Sequence, residues 1–168
     1  MTHKLMELVD LRAWAATSKE FDLRFWAAKN ECGTTLCLAG KAAVAAGYQM
    51  IWPEQKRNSL CQALRCIHPD IGIPREIAEA GREVLGLNES EGQQLFTPNL
   101  EVSAVEASGK NQVDTTELDE KMSLDFLDLL IERAQTGKGH LDEEDVHDWH
   151  QQWVGEHYDE LAETGVDD

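Results

Sequence analysis

Apolar residues recur at helical spacing from the start of the chain. Over residues 4–16, Leu5, Leu8, Val9, Leu11 and Trp14 fall mostly on one face, which predicts an amphipathic helix. Phe21, Leu23 and Phe25 then alternate with Asp22 and Arg24, a strand-like pattern over a very short run. It predicts a turn or short extended piece packed on the core. The next stretch differs in kind, because Ala39, Gly40, Ala42, Ala43, Ala45 and Ala46 leave little bulk on any face. Thr34 or Thr35 is a natural N-cap and Gly47 a natural residue just past the C-terminus. The helix between them should be central, since neighbours can approach its backbone closely.

Residues 58–67 read as a second, weaker helix entered at Asn58 or Ser59. His68 to Pro74 is a connector, since Pro69 biases His68 away from helix and Gly72 loosens the chain. Pro74 suits the first position of a helix running to Leu85, with Ile77, Ala80, Val84 and Leu85 in its apolar set and Gly86 as its stop. Asn88 with Glu91 three residues on has the form of a capping box, opening a short helix to Phe96. Residues 97–121 are rich in turn formers and read as a long loop or linker, with a small hairpin of 100–107 and 112–116 as the alternative. Ser123 should cap a helix carrying Leu124, Phe126, Leu127, Leu130 and Ile131, closed by Gly137 and Gly139. A last helix is expected over 141–163, with Val146, Trp149, Trp153 and Leu161 as its stripe. The pattern predicts a mainly α fold: a single helical domain over 1–168 with six or seven helices. Its parts would be a motif-bearing half over 1–96, the loop at 97–121 and an acidic helical half over 122–168.

Composition sharpens that division. The 168 residues are 42% hydrophobic, enough for one domain with a real core, and carry 15 Lys+Arg against 32 Asp+Glu. The net charge of −17 is not spread evenly: residues 1–83 hold 11 basic and 10 acidic side chains, and residues 84–168 hold 4 and 22. An acidic balance counts against direct binding to nucleic acid or an anionic membrane, because phosphate contacts need a Lys/Arg surplus. No apolar run approaches a membrane span and the N-terminus lacks a signal-peptide pattern, so a cytoplasmic location is expected. In that compartment the four cysteines should be thiols, metal ligands or small buried apolar groups.

The segment Cys32-Gly33-Thr34-Thr35-Leu36-Cys37-Leu38-Ala39-Gly40 resembles a Cys-Gly-Thr-x-x-Cys-x-Ala-Gly motif of small uncharacterised bacteriophage and actinobacterial proteins. The aromatic stretch Phe21 to Trp26 and the leucine-rich segment ending Leu95-Phe96 are similar to that group, so the resemblance covers about residues 20–96. Lys41 departs from it, standing where Trp or His is more usual. The resemblance implies a phage-like origin, hence a host-cell cytoplasm, and little chemistry. The motif residues Cys32, Gly33, Thr34, Cys37, Ala39 and Gly40 read as scaffold.

Three constellations carry candidate chemistry. Cys32 with Cys37 and Cys61 with Cys66 make two Cys-x4-Cys pairs, which a four-thiolate zinc site would need to bring together. Residues five apart on a helix diverge by about 140°, so buried structural thiols are the simpler reading. His147, His150 and His157 project from nearby angles of the last helix, with Glu143 four residues before His147, a candidate metal or pH-sensitive face. Asp142, Glu143, Glu144, Asp145 and Asp148 form a candidate partner-binding acidic face.

No Gly-rich phosphate loop, nucleophile elbow or His-Glu-x-x-His signature is present, and no catalytic residue is assigned. The expected function is therefore a non-enzymatic acidic interaction protein. It would be a phage-like accessory factor that binds and modulates a basic host protein, with nucleic-acid mimicry as one form. No cofactor is expected beyond zinc at the residues named. The alternatives are a metal- or thiol-dependent enzyme or sensor built on the Cys or His cluster, and a virion structural component.

Overall fold

The first helix forms where the periodic pattern places it: α1, Leu5–Thr17, turns Leu8, Leu11 and Ala15 inward. The computed structural model of the chain describes residues 2–30, 33–53 and 61–165. Among these are eight helices and six strands, the strands in two separate antiparallel sheets. The expectation of a mainly α fold with six or seven helices is thereby overturned; the architecture is a mixture of helix and antiparallel sheet.

The sheets arise in the first half of the chain, from both neighbouring and distant strand pairings. β1, Ala27–Asn30, pairs with β2, Gly33–Leu36, and on its other side with β4, Cys61–Ala63. Thr34 and Thr35 therefore lie in a strand, where β-branched side chains fit well, and neither caps the following helix. The second sheet has the order β3-β5-β6, from Gln49–Ile51, Arg65–Ile67 and Pro74–Glu76. The helix expected over 58–67 is replaced by β4 and β5 from Cys61 onward, and its proposed entry at Asn58 or Ser59 lies outside the described residues. Cys61 and Ala63 are buried while Gln62 is exposed, the period-two alternation of a strand. The chain crosses from one sheet to the other at the exposed Leu64. Pro74 does not open a helix: it pairs with Ile67 in β6, an edge strand that tolerates a missing N–H.

α2, Leu38–Ala45, is the thin central helix, with Leu38, Ala39, Gly40, Ala42 and Ala43 buried. Its N-cap is Cys37, whose Sγ accepts the Gly40 N–H at 3.4 Å. Gly40 lies directly under the Trp26 carbonyl, where a Cβ would clash. α3, Ile77–Leu85, crosses α2 so closely that a Cβ on Gly81 would stand 2.8 Å from the Ala39 Cα. Gly86 follows α3 in the left-handed region at φ 68°, and the Thr2 carbonyl packs against it. The Lys4 amide donates to the Leu85 carbonyl at 3.1 Å, so the N-terminal segment is laid across the end of α3.

The second half is built mainly from helices. α4, Glu89–Phe96, opens with the expected Asn88–Glu91 capping box. Neither the long loop nor the small hairpin forms over 97–121. Instead α5 occupies Glu101–Ser108, and the next helix, α6, already begins at Thr116 and runs to Gln135. Ser123 sits inside α6, fully buried, and donates its hydroxyl to the Leu95 carbonyl at 2.8 Å, so it is a tie between α6 and α4 rather than a cap. The expected last helix is two: α7, Glu143–Glu156, and α8, Tyr158–Glu163, divided at His157.

Two apolar clusters result. The larger joins α1, α2, α3, α4 and α6 around Leu8, Leu38, Ile77, Leu95 and Phe126. The smaller holds Leu100, Ala104, Leu118, Met122, Trp153 and Leu161, so α5 is stabilised by the side chains of α6, α7 and α8. No helix among the described residues is long and apolar enough to cross a membrane.

Candidate functional site

Glu91 is the third residue of α4, and its capping role explains only half of what it touches. Its Oε2 accepts the Asn88 N–H at 3.1 Å and His140 Nδ1 at 2.7 Å, while Oε1 accepts the Leu141 N–H at 2.9 Å and His3 Nε2 at 2.8 Å. The side chain of Glu91 is fully buried, that of His3 is 3% exposed and that of His140 is 23% exposed. The two imidazoles meet edge to face, with ring centroids 4.5 Å apart. Burial is the largest influence on the Glu91 carboxyl and opposes its ionisation. The hydrogen bonds from His140, the Leu141 and Asn88 amides and His3 together outweigh burial and hold the group below the ordinary glutamate value.

This hub is assembled from three distant segments. The left-handed turn at Gly86 lets the segment of residues 2–4 cross α3 and brings His3 to α4. Asn88 adds a second tie, donating its side-chain amide to the Leu141 carbonyl at 2.7 Å. His140 and Leu141 are thereby fixed just before Asp142, the N-cap of α7. Sequence reasoning found Glu91 through the capping box but missed its partners. Separations of 88 and 49 residues leave no local spacing signal for His3 and His140.

Beside the hub, α4 and α7 leave an open groove of about 700 Å³, lined in part by Gln93, Gln94, Pro98, Glu143, His147 and His150. Asp142, Glu143, Glu144, Asp145 and Asp148 are all exposed along the first turns of α7. Asp142 also has a local role, since its Oδ1 accepts the Asp145 N–H at 2.8 Å. The negative charges suit the positive end of the helix dipole, so the local fold and the acidic surface do not conflict.

The other anticipated ligand sets are dispersed. His147 is exposed; His150 is half-buried with Nδ1 at 3.0 Å from Gln94 Oε1. His157 donates from Nδ1 to the Trp153 carbonyl at 2.8 Å and stacks on the Trp153 ring with centroids 3.9 Å apart. Cys37, Cys61 and Cys66 are free, buried thiols on different elements, and Cys32 lies outside the described residues. Burial pushes the Cys37 thiol up to about 12, against hydrogen bonds from the Gly40 and Ala39 amides, which favour the thiolate. A helix N-terminus therefore does not activate it. Of the scaffold motif, Gly33 and Thr34 lie in β2, Cys37 caps α2, and Ala39 and Gly40 form the surface on which Trp26 and α3 pack. Among the described residues, the one group of three His, Cys, Asp or Glu side chains with mutually close ligand atoms is His3, Glu91 and His140.

The fold and site define a mixed helical and antiparallel-sheet protein with a buried histidine–carboxylate hub beside an open, acid-rimmed groove. Compared with known protein families, with curated proteins and with solved structures, the chain finds no match.

Proposed function

We propose that the protein is an acidic interaction protein that engages a basic surface of a partner protein through the first turns of α7 and the adjoining groove. The observation that carries this reading is the exposure of Asp142, Glu143, Glu144, Asp145 and Asp148 over the first turns of α7, with Glu143 and Glu144 also lining the groove between α4 and α7. Carboxylates arrayed in this way attract a cationic partner over roughly one Debye length, about 8–10 Å near physiological salt. Glu143, Glu144, His147 and Gln93 offer hydrogen bonds once contact is made. Nucleic-acid mimicry is the narrower form, with carboxylates standing where phosphates bind. A modulating role on a host protein follows from the phage-like motif at Cys32 to Gly40 and is part of the same proposal.

The test compares the wild-type chain with a variant in which Glu143 and Glu144 become Gln and Asp145 and Asp148 become Asn, leaving the Asp142 cap in place. Both are immobilised and exposed to host lysate at low and high salt. Recovery of the same basic protein by the wild type alone, with release as salt rises, supports the reading. Equal recovery by both chains, or none, overturns it. Competition by duplex DNA for the captured partner distinguishes mimicry from binding elsewhere on that partner.

A further inference from the structure

The geometry points to a transition-metal site at His3, Glu91 and His140, separate from the acidic face and reached past His140. One ligand atom from each residue lies within 4.8 Å of those of the other two. Two imidazoles and a carboxylate are the donor set of open zinc centres and of facial iron sites, which keep further positions for water or substrate.

The arrangement goes beyond what a helix cap needs. The Asn88 amide alone completes the capping box, and the Leu141 amide already ties the carboxylate to the next segment. His3 and His140 are added to a group that is wholly out of water. With both rings neutral the cluster holds one buried negative charge, which its four hydrogen bonds now offset and a divalent ion would offset in place of two of them. A divalent ion does so from the same lone pairs that now receive the two histidine N–H groups. The two backbone amides stay on the carboxylate and keep it oriented, the role that outer hydrogen bonds play around metal ligands.

Ligand atoms about 2.0–2.2 Å from a shared zinc stand roughly 3 Å or more apart. The two His–carboxylate separations of 2.8 and 2.7 Å would open by a fraction of an ångström, and all three ligand atoms, now within 4.8 Å of one another, must come within about 4.4 Å. Residues 2–4 and 136–141 lie outside helices and strands, so opening the cluster breaks no hydrogen bond within a helix or a strand. Binding uses the lone pairs of His3 Nε2 and His140 Nδ1, and a proton carried by either nitrogen is given up to solvent or to the other nitrogen of its ring. No covalent bond to carbon forms or breaks. The partial exposure of His140 supplies the entry path and a place for a water ligand. Imidazole donors favour zinc and its neighbours over magnesium or calcium, which take oxygen ligands.

The experiment is a calorimetric zinc titration of the untagged, chelator-stripped full chain in excess magnesium. One zinc per chain is expected, with affinity reduced about tenfold or more by His3→Ala and by His140→Ala. It should be unchanged when Glu143, Glu144, Asp145 and Asp148 are neutralised. Cobalt should give visible absorption bands that His140→Ala abolishes. Absence of zinc uptake overturns the proposal, as does uptake that survives both histidine substitutions. Each variant leaves Glu91 three of its four donors, and circular dichroism checks that the fold is kept. If His140→Ala fails to fold, His3→Ala decides alone, and undiminished zinc affinity in that variant rejects the site.

Discussion

Glu91 accepts the backbone N–H of Leu141 at 2.9 Å, so a side chain in α4 fixes the approach to α7 from inside the core. Replacing Glu91 with Ala would leave that amide, the Asn88 amide and two imidazoles without their acceptor. Unsatisfied buried donors cost about 1–3 kcal/mol each when fully desolvated, though relaxation and water entry reduce the sum. We expect Glu91→Ala to lower the unfolding free energy by about 3–5 kcal/mol in chelator-treated protein, the range for breaking a buried polar network. Glu91→Gln, which keeps one oxygen acceptor, should lose less. Urea denaturation reads both, and a loss below about 1 kcal/mol for the alanine variant would show that the hub does not hold α7 in place.

The α2–α3 crossing gives a second prediction. A Cβ on Gly81 would stand 2.8 Å from Ala39 Cα and 2.9 Å from its carbonyl oxygen, and backbone cannot turn aside as a side chain can. Gly81→Ala should therefore push the helices apart and cost about 1–3 kcal/mol. Gly139→Ala is the control: nothing lies within 4 Å and its φ is not in the left-handed region, so the change should be neutral or slightly stabilising. Equal urea midpoints for the two variants would contradict the close crossing.

What the sequence made legible follows the range of the interactions. Helix α1, the Asn88–Glu91 box, the Gly86 stop and the small-residue body of α2 rest on signals within a few residues and are found where those signals lie, although the expected Thr34 or Thr35 cap of α2 is not. The strands were hidden because β1 finds β4 more than thirty residues away, and three-residue strands such as Cys61–Ala63 are too short for alternation to stand out. Helix α5 was hidden because only Ala104 of its residues is buried, and its support comes from α6, α7 and α8 further along the chain. The hub shows the same division, with Glu91 readable locally and His3 and His140 joined to it only by the fold.

The smaller cluster predicts how the α5–α8 region fails. Leu161 is fully buried against Leu100, Ala104 and Met122, while α8 itself is only six residues long. Such a helix has almost no stability of its own and depends on that packing. Leu161→Ala should cost about 2–5 kcal/mol. The loss should appear first as faster amide exchange in α5 and α8, with Leu8 and Phe126 in the larger cluster still protected. Uniform loss of protection across both clusters would mean that they unfold as one unit.

Cys37 should resist alkylation in the native state. Its thiol is buried and pushed up to about 12, so very little thiolate exists near neutral pH. Reaction with iodoacetamide is expected to track global unfolding and to accelerate in denaturant. Rapid modification of Cys37 in the folded protein, located by mass spectrometry, would contradict the burial that makes it a structural cap.

The groove should make the protein sensitive to mild acid through His150. Burial, and then repulsion from a charged His147, hold the His150 ring below its ordinary value of 6.5. The folded state thus favours the neutral ring, while the unfolded chain protonates more readily as the pH drops. The stability linked to this group is complete above about pH 6.5 and is lost as the pH falls through the lowered folded value. Each pKa unit of displacement corresponds to about 1.4 kcal/mol, which sets the scale of the loss. Gln94 Oε1 faces His150 Nδ1 at 3.0 Å, Glu143 and Glu144 line the same groove, and among the described residues no carboxylate forms an ion pair with the ring. His150→Gln should flatten the stability profile between about pH 7 and pH 5 relative to wild type, with other histidines contributing equally to both. Parallel profiles for the two proteins would show that His150 titrates in the fold as it does in the unfolded chain.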